Sequence, residues 1–304
     1  MPPDDVLEAL CRGPWGHGFA FVLGALLGSF ANVCILRIPK GQSIARPGSH
    51  CFACGKPVRW YDNLPILSYF VLGGKCRDCG ARFSARYLFV ELATAALVLG
   101  VFRLALFELA PWEPLPHRLA RFAVYALFAL VLVVITFIDL DHKKIPDRIT
   151  YPGIPLFFAL AFALGDRPWW DRAIGVAVGY GIVRAISDGY YLLTKREGMG
   201  YGDGKLLALI GALLGWRAVV FSLFGGAVLG SVIGISILVV QRRRAAAAPA
   251  PPPGADGDAD ADAEPSLRHV EIPFGPYLVA AALVHLFLQD TIRMAFSRFI
   301  FPGF

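Results

Sequence analysis

Charge is what this chain has least of. Asp, Glu, Lys and Arg make up 17% of its 304 residues against 56% hydrophobic ones, well below the roughly 25% charged content of soluble globular domains. The mean hydropathy of +0.57 excludes an ordinary soluble fold and points to a polytopic membrane protein. Other absences narrow the class further. No basic segment precedes the first apolar run, because Asp4, Asp5 and Glu8 stand there instead, and no small-residue cleavage site follows it. That run is therefore expected to remain as an anchor rather than be removed as a signal peptide. The net charge of +6 is scattered over loops, with no basic stripe interleaved with aromatics, which excludes a nucleic-acid partner. The two halves show no self-similarity, which argues against a transporter built from inverted repeats.

Long apolar runs are abundant. A span of the ~30 Å hydrocarbon core needs about 20 residues, and eight runs qualify or nearly so: 18–36, 87–107, 119–138, 150–165, 172–193, 205–220, 221–240 and 273–289. The fourth and sixth are short, and Gly215-Trp216 is the only plausible turn between the sixth and seventh, so the count is seven or eight. With eight spans and an outside N-terminus, nineteen Lys and Arg residues fall in inside loops and nine outside, with Arg184 left within a span. This asymmetry sets the orientation by the positive-inside rule. The expected fold is all-α, with membrane lipid as its surroundings and a small cytoplasmic insertion.

Five regions result: 1–37, an N-terminal segment with the first span; 38–86, a cytoplasmic four-cysteine module; 87–240, the helix bundle; 241–268, a linker; and 269–304, the last span and a tail. The linker opens on Arg242-Arg243-Arg244 and continues into Ala/Pro and Asp/Ala/Gly tracts too poor in apolar residues to bury a core. The tail from Gln289 is expected to form an interfacial helix. Glycines recur four apart at Gly24/Gly28, Gly175/Gly179, Gly211/Gly215 and Gly226/Gly230, a spacing that permits close helix approach in membranes.

Asp139 and Asp203 each stand where an apolar run meets a polar turn. A carboxylate at the lip of a bilayer is costly enough to imply a function, and each is the other's natural partner. Two carboxylates sharing one proton are what aspartyl proteolysis requires: one deprotonates a water while the other polarises the peptide carbonyl. Gly200 and Gly202, beside Asp203, allow a substrate strand to pass close to the backbone. The competing reading of Asp203 is a helix cap ahead of Gly204-Lys205-Leu206-Leu207. Asp147, after Pro146, reads as a cap for the fourth span. Asp141 is a rival that would bond the dyad, pair with Lys143 or Lys144, or stay solvated. Arg184 and Asp188 lie four apart and are expected to form a structural ion pair. His142 has no metal-ligand partner at suitable spacing and reads as an exposed loop residue.

Cys51-x-x-Cys54 and Cys76-x-x-Cys79 are separated by twenty-one residues, the pattern of the paired knuckles of a closed, structural zinc ribbon. Redox pairs are disfavoured, since no thioredoxin-like βαβ pattern surrounds them. Cys11 and Cys34 have no such spacing; the first reads as an isolated thiol and the second as a small buried apolar residue.

Taken together, these motifs closely resemble the bacterial prepilin peptidases. The likeness runs nearly end to end: Gly28-Ser29-Phe30-Ala31-Asn32-Val33 with Arg37-Ile38-Pro39, the paired cysteines around Asp62-Asn63-Leu64-Pro65-Ile66-Leu67-Ser68, Arg86-Tyr87 with Val90-Glu91-Leu92, Ile138-Asp139-Leu140-Asp141 with Ile145-Pro146-Asp147, Gly198-Met199-Gly200-Tyr201-Gly202-Asp203-Gly204-Lys205, and Ile272-Pro273-Phe274-Gly275-Pro276. Phe52 and Leu88 stand where such proteins usually carry proline. The resemblance implies that Asp139 and Asp203 are the catalytic dyad. It further implies that the substrates are type IV prepilins or the pseudopilins of type II secretion, cut on the cytoplasmic face of the inner membrane. S-adenosylmethionine-dependent N-methylation of the new terminus is implied by the resemblance alone, since no Rossmann-type methyltransferase fingerprint is present. Presenilin-like proteases share the Gly-x-Gly-Asp element but pair it with an intramembrane Tyr-Asp. Here the only Tyr-Asp, Tyr61-Asp62, lies in the cysteine module. A proton-coupled transporter remains the non-catalytic alternative. The sequence does not determine an oligomeric state.

Overall fold

Residues that stop helices convert the apolar runs into separate rods. The structure is a computed structural model that describes residues 3–195, 200–246 and 273–300. Helix α1 (Pro3–Arg12) breaks at Gly13-Pro14 into α2 (Pro14–Arg37). The module that follows holds a 3-10 turn over Trp60–Asn63, one short α-helix, α3 (Leu67–Val71), and two isolated β-bridges, His50 with Pro57 and Lys75 with Arg82. Ser84 caps α4 (Ala85–Arg103), accepting from the Arg86 N–H, and a π turn over Leu104–Glu108 extends it. Helix α5 (Leu115–His142) ends on Lys143 in the left-handed region at φ 51°. Helix α6 (Asp147–Leu164) ends on Gly165, and α7 (Trp169–Thr194) on Lys195. Gly215, at φ 81°, separates α8 (Tyr201–Leu214) from α9 (Trp216–Ala246).

The eight apolar runs are carried by helices, the sixth being divided by Gly215 between α8 and α9, so the all-α polytopic expectation holds. Helices α2, α4 with its π turn, α5 and α9 are long and apolar enough to cross a membrane, while α10 (Gly275–Ile300) contributes a shorter apolar stretch over Gly275–Gln289. The break between the sixth and seventh runs lies at Gly215-Trp216, the turn the sequence offered, which leaves α8 only 14 residues long. At 1.5 Å per residue that is about 21 Å, less than the ~30 Å hydrocarbon core. Helix α9 continues to Ala246, past the expected start of the linker; residues 247–268 lie outside the described residues. Helical geometry breaks at Leu288 (φ −112°, ψ 15°), so α10 is two helical segments joined at a kink, and the tail from Gln289 is helical as expected.

Burial is concentrated on α5 and α8. Every residue of α8 from Leu206 to Leu214 is buried, and α5 contributes Phe128, Leu132 and Ile135 at zero exposure. Helices α6, α7, α9 and α10 surround α8, and α2, α4, α6 and α10 contact α5. The most peripheral span is α9, which exposes Phe224, Val228, Val232 and Ile235, the composition expected of a lipid-facing surface. At the end opposite the aspartates, Arg118 meets Glu8 at 2.9 Å, Arg121 meets Glu113 at 2.6 Å, and Arg172 meets Asp166. These pairs lend charge compensation to guanidiniums that are almost wholly buried.

Lipid is as apolar as a helix surface, so close van der Waals packing must hold the rods together. The spacing of small residues is used for this on α7 and α8. A Cβ added at Gly211 would lie 2.4 Å from the carbonyl carbon of Gly175, and one at Gly179 would lie 2.6 Å from that of Leu207. Gly211→Ala is therefore expected to separate the two helices and lower stability by about 1–3 kcal/mol, the usual cost of overpacking. A thermal unfolding series in detergent checks this against Gly181→Ala, whose Cβ meets nothing within 4 Å; equal midpoints for the two variants would contradict the packing account.

Candidate active site and metal centre

Asp139 lies in the last turn of α5 because the helix runs four residues beyond the apolar stretch before Lys143 ends it, donating its N–H to the Asp139 carbonyl at 2.8 Å. Its side chain is only 4% exposed. The Gly275 N–H donates to Asp139 Oδ2 at 3.0 Å. Gly275 opens α10, so this N–H belongs to the first turn, whose amides have no partner within the helix. The positive end of the α10 dipole faces the carboxylate for the same reason. Glycine is required there, because a Cβ would fall 2.5 Å from Asp139 Oδ2.

Asp203 is 9% exposed and sits in the first turn of α8. The helix is capped by Gly200, so Asp203 is not the cap residue that one reading of the sequence proposed. The structure brings Asp203 close enough to Asp139 for the charge of one to act on the other. Ile145, from the turn between α5 and α6, wedges beside both. Its Cβ would lie 3.1 Å from a Cβ at Gly202, and its Cδ1 would lie 3.4 Å from one at Gly275. Gly200 faces open space, with nothing within 4 Å of its Cβ position. Two helix N-termini and one helix C-terminus thus converge on a pair of sheltered carboxylates, with an unobstructed backbone approach beside them. Such a pair can hold one shared proton and activate a water between its members.

The neighbouring acids take other partners. Asp141 forms a forked ion pair with Arg86 of α4, at 2.6 and 2.7 Å, a partner outside the three expected for it. The same guanidinium donates to the Phe137 carbonyl and lies over the Phe137 ring. Asp147 is the first residue of α6 rather than its cap, which is Pro146; its carboxylate pairs with Lys205 of α8 at 2.5 Å. Arg184 and Asp188 pair at 3.0 Å as their spacing predicts, and the Tyr201 hydroxyl donates to Asp188 at 2.9 Å. His142 is exposed. Gly275, Ile145, Arg86 and Lys205 were missed as site residues, although each lies in a motif that carried the family resemblance. Nothing in a linear pattern states that a glycine 136 positions away supplies an N–H.

The four thiols of Cys51, Cys54, Cys76 and Cys79 come together with their sulfurs all within 4.8 Å of one another. Each pair is built by the same tight turn. Cys51 N–H donates to Lys56 O and Gly55 N–H to Cys51 O; Cys76 N–H donates to Ala81 O and Gly80 N–H to Cys76 O. Gly55 and Gly80 take φ of 71° and 72°, the left-handed geometry that favours glycine. Backbone N–H groups of Cys54 and Ala53, which outweigh desolvation, hold the Cys51 thiol down to about 6. Four sulfurs in this arrangement fit a closed tetrahedral thiolate site. Cys34 is buried and Cys11 half-buried, and neither joins the cluster.

Two family models match the chain: "Bacterial Peptidase A24 N-terminal domain" over residues 22–104 and "Type IV leader peptidase family" over residues 126–235. Curated relatives share one description, prepilin leader peptidase/N-methyltransferase. That of Myxococcus xanthus is 39% identical over 233 residues, covering 76% of this chain and 66% of the relative. That of Aeromonas salmonicida is 33% identical over 316 residues, covering 94% and 96%, and that of Pseudomonas aeruginosa is 31% identical over 93% and 96%. No solved structure matches.

The thiol geometry predicts one thiophilic ion per chain. Titrating metal-stripped protein with Cd2+ should raise the sulfur-to-metal charge-transfer absorption to saturation at one equivalent. Saturation at two equivalents, or no signal, would contradict a single four-sulfur centre.

Proposed function

Because the chain belongs to the type IV leader peptidase family, we propose that it is a membrane-embedded aspartic endopeptidase that removes leader peptides from prepilins or pseudopilins and then N-methylates the new terminus. The observation that carries the peptidase reading is the convergence of Asp139 and Asp203 at one end of the bundle, with the open backbone of Gly200 beside them. The positive-inside distribution of Lys and Arg supports placing that end, and the cysteine module with it, on the cytoplasmic face of the inner membrane.

In this reading one aspartate takes a proton from water as the water oxygen attacks the scissile carbonyl. The other donates a hydrogen bond and then a proton to the carbonyl oxygen, and the proton is returned to the amine as the C–N bond breaks. Gly275 holds Asp139 in a fixed rotamer through its N–H. Gly200 and Gly202 leave room for an extended substrate to lie against α8, and Ile145 fills the space behind the pair. Burial of both carboxylates keeps the repulsion between them strong enough that one proton is retained, whereas in bulk water it would be weak and both would ionise.

The cysteine module is read as a structural zinc ribbon, with Cys51, Cys54, Cys76 and Cys79 as ligands. Its thiolates fix the two turns of a segment that has no apolar core of its own. S-adenosylmethionine supplies the methyl group in the second activity, which rests on the description shared by the relatives.

Incubating the purified protein with a prepilin tests the dyad. Asp139→Asn and Asp203→Asn are each expected to lower the cleavage rate by about 10²- to 10⁴-fold, and full cleavage by either would refute the assignment. Gly275→Ala should cost about 10²-fold, because its Cβ must displace the Asp139 carboxylate by a large part of an ångström; an unchanged rate would remove α10 from the site.

A further inference from the structure

Part of the cysteine module lies level with the membrane spans, and two contacts fix its depth. Glu91 of α4 accepts the Ile66 N–H through Oε2 at 2.8 Å. Glu91 is itself level with Gly28 of α2, where an added Cβ would lie 2.7 Å from the Glu91 Cα. At 1.5 Å per residue, Glu91 is about 9 Å inside the start of α4 at Ala85, and Gly28 is about 13 Å inside the end of α2 at Arg37. Both helices are long and apolar enough to cross a membrane. Ile66, and with it the start of α3 at the next residue, is therefore held beside the apolar parts of two spans.

The return of the chain is equally defined. Gly73 and Gly74 take φ of 58° and 66°, and the Phe83 N–H donates to Gly74 O at 2.7 Å, just ahead of the Ser84 cap of α4. The five residues of α3 rise about 7.5 Å, close to the climb from the level of Glu91 to the start of α4. A segment at lipid depth must satisfy its backbone within the protein. Ile66 N–H has Glu91, Leu67 N–H has Pro65 O and Ser68 N–H has Leu64 O. Those of Leu72, Gly73 and Gly74 have Ser68 O, Phe70 O and Tyr69 O, and Pro65 has no N–H to satisfy. Ile66 takes φ 65° and ψ −55°, an outlier for a β-branched residue. Strain of this kind persists where the surroundings over-determine it, as the bond to Glu91 does here.

The two faces of α3 meet different surroundings. Ser68, Tyr69 and Leu72 line a cavity of about 960 Å³ together with Phe30 and Val33 of α2. Leu67, Phe70 and Val71 are 63%, 67% and 77% exposed, and their spacing of three and four puts them on one stripe of the helix, away from that cavity. At the same level α4 exposes Phe89 and Leu92.

We propose that α3 is a re-entrant wedge seated in the leaflet at the dyad's end of the membrane, with Leu67, Phe70 and Val71 against phospholipid acyl chains. On a module standing clear of the membrane, such a stripe would mark a protein contact. The depth set through Glu91 assigns it to lipid instead, because an apolar helix face at the headgroup–acyl boundary is what the bilayer interface takes up. The module is then steadied by the bilayer as well as by its two cysteine turns.

Site-specific photocrosslinking of the full chain in phospholipid nanodiscs tests the placement. Replacing Phe70, and separately Val71, by p-benzoylphenylalanine should capture phospholipid, read by mass spectrometry as a lipid adduct on the peptide that carries the probe. The expected yield matches that from the same probe at Val232, on the exposed stripe of α9, and is about tenfold above that at Lys56 in the first cysteine turn. An unchanged thermal midpoint for each variant reports that it is folded. Yields at 70 and 71 as low as at Lys56 would overturn the proposal. Adducts at these positions to a second copy of the chain, or to an added prepilin, in place of lipid would also overturn it and make the stripe a protein interface.

Discussion

Two carboxylates buried at the edge of an apolar bundle need polar company, and meeting that need organises the end of the bundle that bears them. Helix ends supply part of it: α10 presents a first-turn N–H to Asp139, and Asp203 lies in the first turn of α8, at the positive end of its dipole. A helix terminus is well suited to this, because its unpaired amides would themselves be costly in an apolar setting. The same contact therefore satisfies both parties. A residue larger than glycine at 275 would have to displace the Asp139 carboxylate, since its Cβ would lie 2.5 Å from Oδ2.

The two halves of the chain are tied at the same end. Arg86 begins α4, which carries the cysteine module, and its fork on Asp141 grips α5 two residues beyond Asp139. Paired N–H···O bonds of this kind fix orientation as well as distance. Lys205 does the corresponding work between α8 and α6 through Asp147, two residues after Asp203. Each aspartate of the pair thus has, two positions along the chain, a charged contact to another helix. Charged residues are few in this protein, and those near the dyad are spent on aligning the helices that bear it.

Much of this was legible in the sequence, and the rest was hidden for identifiable reasons. Helices could be placed because hydropathy reports the membrane directly, and the Arg184–Asp188 pair because i to i+4 contacts are local. The four-cysteine cluster followed from spacing. The turn at Gly215 was legible because glycine marks it, whereas the end of α9 lies beyond the expected 240 because the helix continues past the apolar composition. The partners of Asp141 and Asp147 were misjudged for a deeper reason. Arg86 and Lys205 are 55 and 58 residues distant from them, and local capping preferences say nothing about such contacts. Gly275 illustrates the same limit, since only the folded bundle shows that its amide points at Asp139.

The central claim is that the turn after α5 and the start of α8 are brought together so that the two aspartates act as one unit. Introducing cysteines at Ile145 and Gly202 tests it most directly, since a Cβ at 202 would lie 3.1 Å from that of residue 145, close to the ~3.5–4.5 Å that a disulfide spans. Mild oxidation followed by peptide mapping should yield a 145–202 crosslink. Two free thiols at these positions after oxidation, with both accessible to alkylation, would contradict the account.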